Sequence, residues 1–156
     1  MTIAARLLKA LREGNVAYET VSHPKTYSSA ETATAAHIDD AHIAKTVVLK
    51  DEQGYLLAVI PASEWLNLDR LRDELNRELH LASEEEADEL FQDCQSGAFP
   101  PLGKAYGTET VLDEALTSLA KVYFEAGDHE LLIAVTSDQF QTLMKGIRRG
   151  HFSQSD

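Results

Sequence analysis

The chain is poor in cysteine and in long apolar runs, and each shortage excludes a class of protein. Cys94 is the only cysteine, which excludes an internal disulfide framework and fits a reducing cytosol. No run approaches the roughly 20 apolar residues of a membrane helix, and the N-terminus lacks the apolar core of a signal peptide. We therefore expect a cytoplasmic protein without a membrane partner.

Positive charge is also scarce. The sequence has 14 Lys and Arg residues against 26 Asp and Glu, which gives a net charge of −12. Because non-specific nucleic-acid binding is driven by neutralisation of phosphates, this balance argues against broad binding to DNA or RNA. Any RNA function must therefore depend on a few residues in a pocket that takes one end of the RNA.

The apolar residues that are present follow clear periods. With 156 residues and a hydrophobic fraction of 44%, the chain suits one domain, residues 1–156, with a real core. Helical and alternating spacing of apolar residues predicts the elements. The predicted helices are 3–13, 28–37 (capped by Ser28), 67–79, 84–91 and one capped by Ser137 with Phe140, Leu143 and Met144 inward. The predicted strands are 16–21, 44–50, 55–60, 81–83, 111–112, 120–125 and 130–135.

This order of elements predicts an α+β fold. We expect a mixed, mostly antiparallel sheet of about six strands surrounded by helices, with the 44–60 hairpin buried on both faces. The polar tail, residues 146–156, is expected to fray.

A loop rich in glycine and proline interrupts the pattern within an irregular segment from about residue 92 to residue 108. The stretch from Gly97 to Gly103 holds two of the eight glycines and two of the four prolines. Proline stiffens the backbone and glycine reaches angles closed to other residues, so such a loop can aim its own N–H groups at a ligand. Its simpler interpretation is a plain surface connection.

Three side chains are candidates for chemistry. Lys45 begins a hydrophobic strand, where it is either an edge residue with its head in water or, in a central strand, points into a cleft. His129 ends a turn between two strands, where it either bonds nearby backbone or serves a site. Cys94 is either an inert half-buried thiol or a nucleophile with His129 as its base.

Metal binding is not expected. His37 and His42 are five residues apart, which is not a spacing of the known local zinc patterns. No phosphate-binding glycine motif or nucleophile-elbow motif occurs either. We therefore predict neither a metal nor another cofactor.

Three motifs together resemble one family. Lys45-Thr46-Val-Val-Leu, the Gly-x-x-x-Pro loop at Gly97–Pro101 followed by Gly103, and Gly127-Asp128-His129 occur in that order. This set is similar to the YbaK / prolyl-tRNA synthetase-associated (INS-like) editing domains, over nearly the whole chain from His23 to the helix of Phe140. No synthetase domains are attached, so the chain resembles a free-standing deacylase.

The resemblance implies hydrolysis of a wrong amino acid from the 3′ end of a tRNA, without a metal or a protein nucleophile. Lys45 would hold the terminal end of the substrate, and backbone N–H groups of Gly97 and Ala98 would bind the ester carbonyl. His129 would contact the aminoacyl group or orient water. The remaining expected substrate-binding residues are Thr46, Phe99, Pro101, Gly103 and Gly127.

Specificity and partners are expectations of the same kind. Phe99 and His129 favour a small aminoacyl pocket, for alanine or cysteine on tRNA-Pro. Thr46 stands where some family members have asparagine. The expected partners are the acceptor end of a mischarged tRNA and an aminoacyl-tRNA synthetase. The alternative is a non-catalytic tRNA- or synthetase-binding module, since the acidic surface suits a partner with a basic face.

Overall fold

The fold is a set of short helices packed on small sheets. The computed structural model describes residues 2–155. Its α-helices are α1 (Ala5–Glu13), α2 (Ser29–Ala36), α3 (Leu68–Leu75), α4 (Glu84–Leu90) and α5 (Ser137–Leu143). Its strands are β1 (Glu19–Ser22), β2 (Ala44–Asp51), β3 (Gly54–Pro61), β4 (Trp65–Leu66), β5 (His80–Leu81), β6 (Glu109–Asp113), β7 (Lys121–Glu125), β8 (Leu131–Thr136), β9 (Arg148–Gly150) and β10 (Ser153–Gln154).

The strands form three sheets. A five-stranded sheet has the order β5-β2-β3-β6-β9, in which β2 is antiparallel to both neighbours, whereas β3–β6 and β6–β9 are parallel. An antiparallel sheet has the order β1-β8-β7, and β10 pairs with β4. A parallel bridge between Ile43 and Tyr123 joins the start of β2 to β7. The predicted α+β class is confirmed, although the strands are divided among sheets.

Helices cover the sheets with apolar side chains. Leu71 of α3 packs on one face of the five-stranded sheet. Phe91, just after α4, packs on the other face together with Phe99. Leu7 of α1 and Phe140 of α5 pack against the β1-β8-β7 sheet. The core is therefore continuous with the segment that carries the Gly97 loop.

The β2–β3 hairpin is buried unevenly. β3 is buried from Leu56 to Pro61, so the prediction of burial on both faces holds for this strand. Residues 45–47 of β2 remain half-exposed, and there the prediction is wrong. The reason is that β5 pairs only with Leu49 and Lys50, which leaves the first half of β2 without a second neighbour.

Chain reversals explain two wrong boundaries. The predicted helix 67–79 ends at Leu75, because Asn76 adopts a left-handed φ of 52°. The first strand begins at Glu19 rather than at residue 16, because the N–H of Val16 donates to Leu11 O to close α1.

Helix caps were predicted with mixed success. Ser28 does cap α2, since its hydroxyl accepts the Glu31 N–H at 3.1 Å. Ser137 is not the cap of α5. The hydroxyl of Thr136 accepts the Gln139 N–H, and the Gln139 side chain accepts the Thr136 N–H in return. A Thr-x-x-Gln capping box one residue earlier therefore outcompetes the serine.

The C-terminal tail is not frayed where the structure describes it. β9 pairs with β6 and β10 with β4, while Asp156 lies outside the described residues. Phe152 is only 1% exposed and packs in the core beneath α3. The buried Asp113 carboxylate accepts the N–H groups of Phe152 and Ser153, each at 2.9 Å. One aromatic anchor and one buried carboxylate thus order a tail whose composition is polar.

The tail makes a first prediction about stability. Phe152→Ala should lower the free energy of unfolding by about 3–5 kcal/mol, because it leaves a cavity in the core. Ser155→Ala, at an exposed position, is the control and should change it by less than about 0.5 kcal/mol. Urea denaturation measures both. Equal, negligible effects would mean that the tail does not pack.

An ion pair beside the β2–β3 turn makes a second prediction. Arg77 donates from Nε and Nη2 to the two carboxylate oxygens of Asp51 at 2.7 and 2.6 Å, and the side chains are 8% and 6% exposed. The hydrogen bonds from Arg77 are the main cause that lowers the pKa of Asp51 to about 2. Above the unfolded-state pKa of about 3.9, the ionised carboxylate therefore stabilises the folded state.

Asp51→Asn should lower the melting temperature at pH 7. The difference from the wild type should shrink as the pH falls from about 4 to about 2, where the wild-type carboxyl also becomes neutral. Asp69→Asn, which breaks the exposed Arg72–Asp69 pair, is the matched control and should have little effect at any pH. Thermal melts followed by circular dichroism test this, and an undiminished difference at pH 2 would contradict it.

Candidate functional site

A cleft of about 390 Å³ opens where the two larger sheets meet. The first half of β2 forms one wall, and Gly97 and Phe99 form the opposite wall. The remaining lining comes from the end of β7, the start of α2 and the start of α4: Tyr27, Ser28, Ser29, Ala82, Ser83, Glu84, Ala87 and Glu125.

The cleft exists because β2 lacks a second neighbour at this point. Its residues 44–47 pair with β3 on one side, but β5 reaches only Leu49 and Lys50 on the other. An unpaired strand edge is usually a liability that a protein covers. Here the unpaired edge of β2 lines the cleft.

Lys45 supplies a cation to this wall. Within residues 2–155, its ammonium makes no hydrogen bond or ion pair. The neighbouring Thr46 hydroxyl is buried and also lacks a partner among the described residues. Polar groups that are buried without partners are uncommon in native proteins, so the Thr46 hydroxyl points to a ligand.

The opposite wall is held by the turn between β7 and β8. The N–H of Gln95 donates to Gly127 O at 2.7 Å, and the His129 ring bonds Ser96 O through Nε2 at 2.6 Å. Because a carbonyl oxygen can only accept, Nε2 carries the proton. We call these two hydrogen bonds the clamp.

The clamp leaves specific backbone donors unused. The N–H groups of Gly97 and Phe99 have no acceptor within residues 2–155, whereas Ala98 N–H donates to Gln95 O at 3.0 Å. Gly97 adopts a φ of +83°, which favours glycine. The available donors on this wall are therefore those of Gly97 and Phe99. The Ala98 N–H closes a turn in this structure, so the donor role expected of Ala98 stays a prediction.

Glu125 adds a buried carboxyl to the floor between the walls. It is the last residue of β7 and is 4% exposed. Oε1 accepts a hydrogen bond from the Thr32 hydroxyl at 3.0 Å, while Oε2 is buried and has no partner among the described residues. Burial is the main cause that raises the pKa of Glu125, and the hydrogen bond from Thr32 opposes it most, followed by the nearby His129 and His23.

The sequence agrees with one known family over most of this architecture. A family model of the aminoacyl-tRNA editing domain matches residues 23–143, a range that contains both walls and the floor of the cleft. The chain belongs to this family. No curated protein sequence matches it significantly.

Solved structures share the fold of this editing domain. A proposed trans-editing enzyme for prolyl tRNA synthetase is 25% identical, with a TM-score of 0.83 and 97% of each chain covered. The hypothetical protein APE2540 is 22% identical, with a TM-score of 0.84 over 96% of this chain and 99% of that chain. A proposed signal transduction protein from Marinobacter aquaeolei VT8 is 24% identical, with a TM-score of 0.79, and this chain spans 31% of its length. The last two comparisons concern the fold alone.

The structure brings together four of the residues that the sequence singled out. Lys45, Thr46, Gly97 and Phe99 all line the cleft. The Phe99 ring stacks on Phe91 with centroids 4.5 Å apart and an interplanar angle of 15°, so this part of the wall is rigid.

His129 and Gly127 support the wall from behind. His129 is 3% exposed and does not line the cleft. Gly127 has a φ of +119°, and a Cβ there would lie 3.0 Å from the Ala4 Cβ. The His129 ring bonds Ser96 O in this structure, and its expected contact with the aminoacyl group stays a prediction. Both residues position the Gly97 loop.

Pro101 and Gly103 lie elsewhere. They line a second cavity, of about 320 Å³, next to residues of α1 and the end of α5. Gly103 is required by packing, because a Cβ there would lie 2.4 Å from Thr108 O. The sequence motif therefore continues past the cleft, and its last two residues serve the fold.

Cys94 is poorly suited to be a nucleophile. Burial is the main cause that raises the pKa of its thiol to about 12, so little thiolate forms near neutral pH. Its Sγ lies 3.5 Å from both Asp93 Oδ1 and Tyr106 Oη. The ring proton of His129 is meanwhile engaged by Ser96 O.

Residues 2–155 contain neither a cluster of metal-ligating side chains nor a membrane-spanning helix. No three His, Cys, Asp or Glu side chains in this range are grouped so that they could hold a metal ion. Among the described residues, no helix has the length and apolar character needed to cross a membrane.

The sequence reading missed two residues of the cleft. Tyr27 is 76% exposed at its rim, which leaves an aromatic face free for stacking. The sequence feature that could have identified Tyr27 is its position as an aromatic residue directly before the Ser28 cap. Glu125 was hidden because it is a charged residue at the end of a strand that also begins with a charged residue, Lys121, and only its burial distinguishes it.

Proposed function

We propose that this protein is a trans-editing aminoacyl-tRNA deacylase that hydrolyses the ester of a mischarged tRNA in the cytoplasm. One observation carries the proposal: Lys45, Gly97 and Phe99 line one cleft of an editing domain, and within residues 2–155 the Lys45 ammonium and the N–H groups of Gly97 and Phe99 have no partner. A cation suits a terminal phosphate, and paired N–H donors suit a developing oxyanion.

The chemistry needs little from side chains. An aminoacyl ester is already activated, so a positioned water attacks its carbonyl carbon, the bond from that carbon to the ribose oxygen breaks, and a proton of the water passes to the departing oxygen. The negative charge that develops on the carbonyl oxygen would be stabilised by Gly97 and Phe99, and one such donor contributes about 3 kcal/mol. The neighbouring 2′-hydroxyl of the substrate would orient the water. Lys45 would fix the end of the tRNA in place.

Substrate size follows from the rigid wall. The stacked Phe99 ring cannot move aside easily, so larger side chains would clash. We propose that the enzyme removes a small amino acid, alanine or cysteine. By analogy with the 25% identical trans-editing protein, the tRNA would be tRNA-Pro and prolyl-tRNA synthetase a partner.

A panel of mischarged tRNAs tests the proposal. At least one ester should be lost faster than in the uncatalysed control, and Lys45→Ala should lower kcat/KM by about 10- to 100-fold, the effect of one lost charge-assisted contact. Lys121→Ala removes the same charge from a residue that does not line the cleft and should keep the wild-type rate. Absence of any accelerated loss, or an undiminished rate in Lys45→Ala, would refute the proposal.

The loop makes a prediction of its own. Gly97→Val should lower the rate by at least about tenfold, because its φ of +83° is strained for valine and the N–H donors would shift. A Cβ at this position meets the His129 ring only at 3.6 Å, so the backbone angle rather than a clash causes the loss.

Gly107→Val is the matched control for that strain. Gly107 has a φ of +63°, and a Cβ there meets nothing within 4 Å. Both variants should lose melting temperature, but only Gly97→Val should lose activity. Equal activity in the two variants would show that the loop does not supply the donors.

A non-catalytic binding module remains the second candidate, favoured by the net charge of −12. Such a protein would co-purify with a synthetase and hydrolyse none of the charged tRNAs.

A further inference from the structure

Glu125 is a buried carboxyl group that the mechanism above does not use. One of its oxygens is satisfied and the other, Oε2, has no partner among the described residues although the side chain is 4% exposed. A buried carboxyl is costly unless it is paired or hydrogen-bonded. Its position on the cleft indicates that the missing partner comes with a ligand.

A chain of hydroxyl groups fixes this carboxyl in place. Thr26 donates to Thr32 at 2.6 Å, and Thr32 donates to Oε1 of Glu125 at 3.0 Å. Thr26 and Thr32 are both buried. Since Oε1 accepts the Thr32 hydroxyl, Oε2 is the carboxyl oxygen that lacks a donor among the described residues.

The cleft thus carries opposite charges that do not neutralise each other. Lys45 and Glu125 both line it, yet no ion pair joins them. The other carboxylate of the lining, Glu84, is exposed and accepts a hydrogen bond from the Ser96 hydroxyl. Glu125 is therefore the carboxyl with an unsatisfied buried oxygen, and Lys45 is the free cation.

The end of a charged tRNA has the complementary pattern. It bears phosphates on the nucleotide side and a free α-ammonium group on the amino acid. We propose that Glu125 binds the α-ammonium group of the esterified amino acid, an assignment that rests on the proposed deacylase function. Glu125 then accepts a charge-assisted hydrogen bond through Oε2, while Lys45 attracts the phosphate side.

This assignment adds selectivity for esters with a free α-ammonium group, which a small side-chain pocket alone does not provide. An ester whose amino group is acylated carries no cation and would leave Glu125 buried and unpaired. Peptidyl-tRNA and other N-blocked esters would therefore be poor substrates. The protein would remove single amino acids without hydrolysing nascent chains.

The test compares esters that differ only at the α-position. From the best tRNA of the mischarged panel, the aminoacyl ester and its α-hydroxyacyl counterpart are prepared, and each hydrolysis rate is divided by the rate without protein. Wild-type protein should accelerate the aminoacyl ester more, by about 10- to 100-fold, the effect of one charge-assisted hydrogen bond. N-acetylation of the aminoacyl ester should remove the same preference.

Three variants make the test specific to Glu125. Glu125→Gln keeps the shape of the side chain and should bring the ratio of the two accelerations, aminoacyl over α-hydroxyacyl, close to one. Glu125→Asp keeps the charge and should retain part of the preference for the aminoacyl ester. Glu84→Gln removes a carboxylate from the exposed rim of the same cleft and should leave the ratio at the wild-type value. Melting temperatures establish that each variant is folded.

The outcomes separate this inference from the function on which it rests. Equal acceleration of both esters by wild-type protein, or an unchanged ratio in Glu125→Gln, overturns the role of Glu125 while the deacylase stands. If no ester is hydrolysed, the deacylase proposal fails. In that case, the role of Glu125 is tested by the binding of acceptor-stem mimics that carry an aminoacyl or an α-hydroxyacyl group through an amide. A preference for the amino form that Glu125→Gln abolishes supports the Glu125 subsite. Equal binding of the two mimics, or no binding, overturns it.

Discussion

The clamp between the β7–β8 turn and the Gly97 loop is the constraint on which the cleft depends. Two hydrogen bonds, Gln95 to Gly127 and His129 to Ser96, fix where the loop begins. His129 makes its bond from a left-handed φ of 61°, a conformation that is uncommon for a residue with a side chain. The turn is braced in its own right, because the Asp128 carboxylate accepts the N–H groups of Glu130 and Leu131.

The clamp explains how a site with so few side chains is specified. Donors that belong to the backbone have a fixed direction only if the backbone itself is fixed, and the clamp supplies that rigidity from a different sheet. The facing wall is the edge of β2 that β5 leaves unpaired. The cleft is therefore a property of the junction between two sheets, which the Ile43–Tyr123 bridge holds together.

The sequence predicted the parts of this arrangement that depend on local pattern. Lys45 and Gly97 were identified because a lysine beginning an apolar strand and a glycine-proline loop are visible in the sequence. The different roles of Gly97 and Gly103 could not be predicted from the sequence, since they depend on which backbone approaches each glycine in space. The role of Glu125 was missed for the same reason: a strand ending in glutamate is ordinary until Thr26 and Thr32 bury it.

The tail shows the same limit at the level of the fold. Its polar composition predicted disorder, but order there comes from pairing with residues far away in sequence, and composition carries no information about those partners. Phe152 alone was a visible signal. A single aromatic residue among polar ones is a weak indicator unless its backbone N–H is known to bond a buried carboxylate such as that of Asp113.

The position of β9 has a consequence for how the protein is made. β9 lies beside β6 at the edge of the sheet that carries Lys45, so that sheet is incomplete until residues 148–150 have been synthesised. Before then, β6 presents an unpaired edge, and Asp113 lacks two of its donors. The five-stranded sheet is therefore completed only once residues 148–150 are available, although the residues that line the cleft all come earlier in the chain.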